Sequence, residues 1–295
     1  IKAEGKYPVV IKADGLALGK GVLICQNEQE AADGVKEIML DKKFGASGNH
    51  VVVEEFLTGP EVSVLSFCDG KTVKPMVSSM DHKRALDHDE GLNTGGMGTV
   101  APNPYYTPAV AERCMQEIFL PTVAAMQAEG CPFKGCLYFG LMLTPDGPKV
   151  IEYNCRFGDP ETQVVLPLLE SDLLTVMEAT TNGTLDKTDV KFSDGAAACV
   201  ILASGGYPLA YEKGKEITGL TAGQLDAADV TVYHAGTAIK DGRLVTNGGR
   251  VLGVTATANT LPEALKKAYA ATESIHFDKL HKRSDIGARA LAAMQ

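Results

Sequence analysis

Short runs of β-branched and other apolar residues at the start of the chain predict β-strands, and the run at residues 61–68 alternates apolar with polar positions. Between the second and third runs the spacing becomes helical. Asn27 begins that helix, and Glu30 three residues later is typical of a capping box. The predicted strands are residues 7–13, 21–25, 50–56 and 61–68. The order strand, loop, strand, helix, strand indicates a compact α+β unit.

The middle of the chain contains a segment with little hydrophobic periodicity, residues 83–103. This segment is rich in glycine, and we predict a long loop, which inside a compact domain is usually functional or disordered. The other elements predicted here are a helix over 107–129, strands over 135–143 and 149–154, and a helix over 160–182.

The residue pattern changes after Lys191. Short runs of small and β-branched residues replace the longer helical segments there. We therefore predict a domain boundary near residues 186–193. The elements predicted beyond it are strands over 196–203, 230–236, 243–246 and 250–256 and a helix over 261–275.

Composition narrows the functional classes. Hydrophobic residues make up 45% and charged residues 22% of the 295 residues, which is ordinary for a globular protein. The net charge of −9 argues against nucleic-acid binding, and no apolar run approaches a membrane span. Seven scattered cysteines without a C-x-x-C pair favour reduced thiols and a cytoplasmic protein. Because the first residue is Ile1, we expect the chain to begin inside a longer protein.

Glycines and lysines are concentrated just after the first predicted strand. Lys12, Gly15, Gly19, Lys20 and Gly21 combine permissive backbone with positive charge, as a phosphate site requires. The spacing is not that of a Walker A motif, because no Ser or Thr follows the second lysine and a strand comes next. A hairpin that closes over phosphates and a plain β-turn both fit this segment.

Two oxygen-bearing side chains lie two residues apart on the predicted strand 149–154. Glu152 and Asn154 therefore leave the same face of the strand, and Mg²⁺ prefers such oxygen ligands. Arg156 follows closely enough to hold a transferring phosphoryl group, and further carboxylates come at Asp159 and Glu161. The alternative is a salt-bridge cluster at the end of the strand.

Basic residues open the predicted loop 83–103, where the sequence DHKR (81–84) precedes the glycines. Lys83 followed by mobile backbone donors suits a lid over anions. A solvated charge run in front of a flexible loop is the alternative.

Together these motifs resemble the ATP-grasp ligases, and specifically the phosphoribosylamine–glycine ligase family. The segments EYNCRFGDPETQ and NTGGMG are the most specific, and the matches follow the family order along nearly the whole chain. The matching stretches are residues 10–22, 52–63, 81–98, 135–143, 150–163, 203–208 and 246–256.

The resemblance implies an α+β, ATP-grasp fold in which two subdomains, about 1–60 and 61–190, grip ATP. A small, mostly β C-terminal domain, 191–295, follows them. The implied reaction joins glycine to 5-phosphoribosylamine through a glycyl phosphate, giving glycinamide ribonucleotide, ADP and phosphate in purine synthesis. Nucleic acid and membranes are not implied as partners, whereas other enzymes of purine synthesis are candidate partners.

The resemblance also implies roles for individual residues. Glu152 and Asn154 would hold Mg²⁺ or Mn²⁺, and Arg156 and Lys83 would be catalytic. The implied contacts to ATP and substrates come from Lys12, Gly15, Gly19, Lys20, Gly21, the backbone of Glu54, Glu55, Phe56 and Leu57, Glu61 at the ribose, and Gly96, Asp159 and Glu161.

Several alternatives stay open on the sequence. The family carries an N-terminal domain that this sequence lacks, so we expect the chain to bind Mg-ATP weakly and not to complete the reaction alone. Another ATP-grasp carboxylate–amine ligase or a biotin-carboxylase-like enzyme would share the ATP residues. A non-catalytic nucleotide-binding module and a purely structural fragment are the remaining alternatives.

Overall fold

The structure is a computed structural model that describes residues 1–17, 21–220 and 229–295. The chain forms two compact units, Ile1–Thr58 and Gly59–Gln295, called here the first unit and the second unit. In the described ranges, no helix is long and apolar enough to cross a bilayer.

The first unit is a three-stranded antiparallel sheet with a helix on one face. Its elements are β1 (Val9–Ala13), β2 (Val22–Cys25), α1 (Glu28–Val35), a π-helical continuation (Lys36–Leu40), a 3₁₀ turn (Gly45–Gly48) and β3 (Val51–Glu55). β1 is central and pairs with both neighbours. Val9, Ile11 and Cys25 pack against Ala31 and Ile38 of the helix. The predicted order of elements is confirmed.

The N-terminus of α1 has the predicted cap, with one difference in detail. The Asn27 side chain accepts a hydrogen bond from the Glu30 N–H at 3.0 Å, a contact that stabilises a helix by about 1 kcal/mol. The Glu30 carboxylate returns to the N–H of Gln26 at 2.8 Å and to the Asn27 side-chain amide at 2.9 Å. The reciprocal bond of a capping box is thus displaced by one residue.

The second unit holds the remaining elements. In chain order they are β4 (Glu61–Asp69), β5 (Val73–Pro75), β6 (Met80–Asp81), β7 (Arg84–Leu86), β8 (Glu90–Asn93), β9 (Gly98–Ala101), α2 (Pro108–Cys114), α3 (Leu120–Ala128), β10 (Lys134–Thr144), β11 (Gly147–Asn154), α4 (Thr162–Val165), α5 (Leu173–Asn182), β12 (Ala196–Ser204), β13 (Val230–His234), β14 (Thr237–Lys240), β15 (Arg243–Thr246), β16 (Arg250–Ala258), α6 (Leu261–Thr272), β17 (Leu280–His281) and α7 (Ala288–Ala293). A π-helical turn (Met115–Phe119) joins α2 to α3, and short 3₁₀ turns lie at Asp87–Asp89, Leu166–Leu168 and Leu185–Lys187.

A four-stranded antiparallel sheet in the order β11-β10-β4-β5 has a separate core on each face. Alternate residues of β10 determine which core each side chain enters. Leu137 and Phe139 pack against the helical segment 108–128, where the Phe119 and Phe139 rings lie 4.2 Å apart. Cys136 and Tyr138 point to the opposite face. The predicted helix over 107–129 and the two predicted strands after it are confirmed.

The second unit also contains a six-stranded sheet in the order β13-β16-β12-β9-β6, with β17 also on β12, and the two-stranded pairs β14–β15 and β7–β8. β12 pairs with β9 from Ala197 opposite Ala101 to Val200 opposite Gly98, and α6 packs on this sheet through Ala264. The sheet therefore contains strands from both sides of the boundary predicted near 186–193. The separate C-terminal domain over 191–295 stays a prediction.

The prediction of a loop throughout residues 83–103 is wrong. β7 and β8 form a hairpin, and β9 is a fully buried strand inside the six-stranded sheet. The hydrophobic period was not visible because β9 is short and begins with Gly98, where a Cβ atom would lie only 2.7 Å from the Cys199 carbonyl oxygen. A glycine is needed where two backbones approach this closely, and it interrupts the alternation of apolar and polar residues that would predict a strand.

The single helix predicted over 160–182 is also wrong, because the chain breaks into α4 and α5. After the 3₁₀ turn Leu166–Leu168 the backbone becomes extended at Leu169, and the Glu170 N–H donates to the Lys191 carbonyl oxygen at 2.9 Å. Asp172 then begins a new helix by accepting from the Thr175 N–H at 2.8 Å. The helix ends where predicted, at Gly183, which adopts φ +75°.

A buried arginine connects the C-terminal segment of the second unit to the β7–β8 hairpin. Arg283 has a side chain only 1% exposed and forms ion pairs with Asp89 at 3.0 Å and Asp285 at 2.7 Å. Its Nη1 also donates to the Arg84 carbonyl oxygen at 3.1 Å. The hairpin is further held by the His88 N–H, which donates to Asp285 at 2.8 Å. These contacts fix the segment that begins at the predicted site residue Lys83.

The buried His82 lies beside this segment, and it should make the free energy of unfolding depend on pH. The Nδ1 of His82 lies 3.1 Å from the Gly98 carbonyl oxygen, and the Gly287 N–H donates to its Nε2 at 3.0 Å. Burial, with a smaller effect of the Arg283 and Arg289 charges, lowers the pKa of His82 to about 4. The ring is therefore neutral, whereas in an unfolded chain it has a pKa of about 6.5.

Between about pH 6.5 and pH 4, His82 takes up a proton in the unfolded chain but not in the folded protein. The contribution of His82 to the free energy of unfolding is therefore complete above about pH 6.5 and falls as the pH drops toward 4. We expect a loss of about 3 kcal/mol across this window, measured by urea unfolding of the second unit. His82→Gln should flatten this slope, whereas substitution of the exposed His50 should leave it unchanged. Equal slopes for His82→Gln and the unsubstituted protein would contradict the assignment.

Candidate active site

The predicted metal pair lies at the end of β11. Glu152 and Asn154 share a face, and the Asn154 Nδ2 donates to Glu152 Oε1 at 3.2 Å. Gly140 of β10 lies opposite Glu152, and a Cβ atom there would come 3.1 Å from Glu152 Cγ. Tyr153 points to the other face, where its ring packs 5.6 Å from that of Phe139. The predicted orientation of the pair is confirmed, and its role as a metal site stays a prediction.

The chemistry of these donors suits a hard divalent cation. A carboxylate and an amide oxygen are ligands that Mg²⁺ accepts, and this ion usually takes its other ligands from water and phosphate. Among the described residues, no three His, Cys, Asp or Glu side chains are placed to enclose a metal ion. The pair therefore fits an ion that arrives with a phosphate ligand better than one enclosed by protein.

A salt bridge between Lys83 and Glu61 lies near Glu152. Lys83 Nζ lies 3.1 Å from Glu61 Oε2. Burial alone would lower the pKa of Lys83, but the carboxylates of Glu61 and Asp81, with a smaller contribution from Glu152, raise it above its ordinary value. Lys83 is therefore a permanent positive charge near the predicted metal pair, whatever the pH of a cell.

A carboxyl pair, Asp81 and Glu161, lies beside Lys83, and the sequence predicts Glu161 as a site residue but not Asp81. The Tyr138 hydroxyl donates to Glu161 Oε1 at 2.7 Å and lies 2.6 Å from the Ser63 Oγ. Asp81 accepts from the His82 N–H at 2.7 Å. Burial first, and then the Glu161 carboxylate, raise the pKa of Asp81 well above its usual range. The alternation of residues along neighbouring strands is a signal for Tyr138, which shares the face of Glu152. No local pattern distinguishes Asp81 within the segment DHKR (81–84).

The predicted phosphoryl clamp, Arg156, is exposed and held only locally. Its Nη1 donates to the Phe157 carbonyl oxygen at 2.9 Å. Among the described contacts it forms no ion pair with Glu152, so the salt-bridge alternative for this strand end is not what the structure contains. The guanidinium retains donors for a ligand.

Two predicted substrate-side residues lie in tight turns. Gly96 has φ +112°, and a Cβ there would come 2.5 Å from Pro160 Cδ and 2.6 Å from Asp81 Oδ1. Only glycine fits this position, so the backbone approaches both the carboxyl pair and the turn that holds Asp159. The Asp159 carboxylate accepts from Gln163 Nε2 at 2.8 Å and from Arg250 at 2.9 Å.

In the first unit, Lys12 is on the face of the sheet that the helix leaves open. Its Nζ lies 2.6 Å from Glu54 Oε2. Three apolar side chains on this face are substantially exposed, Val22 at 44%, Ile24 at 50% and Val52 at 42%. An apolar surface around an ion pair suits a ligand that has a flat ring and a charged end.

The other predicted residues of the first unit occupy a turn and a sheet edge. Gly15 donates its N–H to the Ser47 carbonyl oxygen at 3.0 Å, and a Cβ on Gly15 would lie 2.6 Å from Ser47 Cα. Glu54 and Glu55 end the edge strand β3, and Phe56 and Leu57 follow it. Gly21 precedes β2. Gly19 and Lys20 lie outside the described residues, so their predicted phosphate contacts stay predictions.

Comparison with known proteins identifies the family. A family model described as "Phosphoribosylglycinamide synthetase, ATP-grasp (A) domain" matches residues 1–162, and one described as "Phosphoribosylglycinamide synthetase, C domain" matches residues 197–289. A phosphoribosylamine–glycine ligase of Vibrio vulnificus is 49% identical over 293 residues, which are 99% of this chain and 68% of that protein. The chain belongs to the phosphoribosylamine–glycine ligase family.

A solved structure and a further relative support the same family. The crystal structure of a phosphoribosylamine–glycine ligase from Thermotoga maritima matches with a TM-score of 0.87 and 40% identity, over 97% of this chain and 70% of that one. A trifunctional purine biosynthetic protein of Gallus gallus is 51% identical over 96% of this chain and 28% of its own length. The resemblance and the α+β, ATP-grasp fold predicted from the sequence are confirmed. Family membership makes the chain an ATP-grasp ligase of purine biosynthesis, with glycine ligation as the family's reaction.

Proposed function

We propose that this chain binds ATP with Mg²⁺ or Mn²⁺ and takes part in joining glycine to 5-phosphoribosylamine, releasing ADP and phosphate. The observation that supports this most directly is the shared face of Glu152 and Asn154 beside the Lys83–Glu61 ion pair. Two oxygen donors and a permanent cation in one place suit a nucleotide's phosphates and their ion. No nucleic acid or membrane is needed as partner, and the proposed compartment is the cytoplasm.

The proposed reaction has two steps that balance without a redox partner. The glycine carboxylate oxygen attacks the γ-phosphorus of ATP, so the bond to ADP breaks and glycyl phosphate forms. The amine nitrogen of phosphoribosylamine then attacks the glycyl carbonyl carbon, phosphate leaves, and the nitrogen loses a proton to solvent or phosphate. Positioning and charge neutralisation dominate phosphoryl transfer of this kind.

The residues of the second unit supply the charges for this chemistry. Glu152 and Asn154 would hold the divalent ion, which neutralises phosphate oxygens when bound. Arg156 and Lys83 would stabilise the negative charge of the acyl phosphate with a guanidinium and an ammonium group. Gly96, Asp159 and Glu161 would form the wall around the substrates, together with Asp81.

The residues of the first unit would bind the nucleotide. Lys12 would pair with phosphate oxygens, and the Gly15–Gly21 segment would cover them with backbone N–H donors other than that of Gly15, which is bound to Ser47. The exposed Val22, Ile24 and Val52 side chains offer an apolar surface to a purine ring. The backbone at the end of β3, Glu54, Glu55, Phe56 and Leu57, would bind the adenine edge, and Glu61 of the second unit would accept from the ribose hydroxyls.

Substrate-dependent ADP release tests this proposal. With full-length protein, MgATP and phosphoribosylamine, we expect ADP to be released when glycine is present and not when bicarbonate replaces it. Mass spectrometry should find one glycinamide ribonucleotide for each ADP. Bicarbonate-dependent release would instead support a biotin-carboxylase-like activity. MgATP binding without any turnover would support a nucleotide-binding module, and no thermal shift with MgATP would support a structural fragment.

A further inference from the structure

Arg250, the first residue of β16, reaches two loops of the candidate active site. Its Nη1 donates to the Gly95 carbonyl oxygen at 2.7 Å and to the Asp159 carbonyl oxygen at 2.8 Å. Its Nη2 donates to Asp159 Oδ2 at 2.9 Å. The side chain is only 19% exposed, so the planar guanidinium is held in one orientation by three acceptors on two separate segments.

Tyr207 binds the other backbone polar group of Gly95, its N–H. The Gly95 N–H donates to the Tyr207 hydroxyl at 3.0 Å. Both backbone polar groups of Gly95 are therefore bound by side chains more than a hundred residues away along the chain. A Cβ on Gly95 would lie 2.9 Å from Arg250 Cζ, so the absence of a side chain allows the guanidinium to lie against the backbone.

Both carboxylate oxygens of Asp159 are held by side chains. One oxygen accepts from Gln163 and the other accepts from Arg250. The carboxylate thus fixes the guanidinium, and through it the Gly95 carbonyl. The neighbouring Gly96 backbone lies against Pro160 and Asp81, so a displacement of this loop changes the space beside the buried carboxyl pair.

We infer that Arg250 and Tyr207 are positioning residues of the ligase, which set the distance between the Gly95–Gly96 loop and the Asp159 turn around the amino-acid substrate. Neither residue needs to touch the reacting atoms. This inference rests on the proposed function, since it assigns these two loops to the glycine side of the reaction.

Arg250→Lys is the discriminating substitution, because an ammonium group keeps the charge but cannot bind three acceptors in one plane. In the full-length ligase we expect kcat/KM for glycine to fall roughly ten- to a hundredfold, as small misplacements of substrate-positioning groups do. The KM for MgATP and the melting temperature should stay close to those of the unsubstituted protein. Tyr207→Phe, which removes one hydroxyl, should give a smaller decrease in the same parameter.

Arg243→Lys is the matched control. Arg243 begins β15, forms a surface ion pair with Glu216 at 3.1 Å and is 69% exposed, so its substitution should change no kinetic parameter. Asp159→Asn should give a loss similar to that of Arg250→Lys, and the double variant should lose little more, because both act through one contact.

An unchanged kcat/KM for glycine in Arg250→Lys would overturn the inference. So would equal changes in glycine KM, MgATP KM and melting temperature, because these would indicate a purely structural role. Absence of glycine-dependent turnover in the unsubstituted protein would instead contradict the proposed function, so the two failures are distinguishable.

Discussion

Replacing Glu152 by alanine is expected to lower the rate of glycine ligation by roughly two to three orders of magnitude. The substitution removes the only charged member of the Glu152–Asn154 pair, and the divalent ion would then depend on one amide oxygen and its phosphate ligands. The loss corresponds to about 3–4 kcal/mol of transition-state stabilisation. Steady-state ADP release with glycine and phosphoribosylamine measures it.

A metal titration makes this test specific for ion binding. If Glu152 holds the ion, the Mg²⁺ or Mn²⁺ concentration that gives half-maximal activity should rise in Glu152→Ala. Asp146→Asn is the control, because Asp146 is an exposed acidic residue in the turn between β10 and β11 and should leave both rate and metal requirement unchanged. Turnover by Glu152→Ala at the normal rate and metal concentration would refute the proposed metal site.

Replacing Arg283 by alanine should destabilise the second unit by about 3–5 kcal/mol, because one member of a buried ion-pair network is removed while the others stay. In the unsubstituted protein, burial alone would raise the pKa of Asp285, but bonds from Arg283 and the His88 N–H lower it far below its usual range. The variant removes the cation that stabilises this carboxylate. The Arg84 carbonyl oxygen also loses a donor. Urea unfolding should show the loss, with a melting temperature lower by on the order of 10 °C.

The adjacent Arg289 offers a control that shares one partner. Its Nη1 lies 3.3 Å from Asp89 Oδ2, but its side chain is 55% exposed. Arg289→Ala should therefore cost less than about 1 kcal/mol, as surface ion pairs do. Similar losses for the two variants would mean that burial does not determine the strength of this network, contrary to the expectation.

The parts of the site that the sequence predicted are those governed by local periodicity. Alternation along β11 placed Glu152 and Asn154 on one face and Tyr153 on the other, and the turn before it fixed the hairpin with β10. The same reasoning predicted the strands and helix of the first unit, because their apolar residues recur with the spacing of a strand or a helix.

The parts that sequence reasoning missed depend on contacts between distant segments. Arg250 and Gly95 are 155 residues apart, and His88 and Asp285 are 197 apart, so no local pattern indicates either bond. β9 was predicted as loop because the sheet, and not its own four residues, makes it a strand. Asp81 belongs to the segment DHKR, but its position beside Glu161 becomes evident only when the strands are assembled.

The pairing of β9 with β12 has a consequence for dissecting this protein. Cutting the chain near residue 190 would remove β12 and expose the backbone of β9, and an apolar strand with an open edge promotes aggregation. It would also remove the side chains that bind Gly95. A shortened version that ends there would therefore be a poor reagent for studying nucleotide binding, however complete its ATP motifs look in the printed sequence.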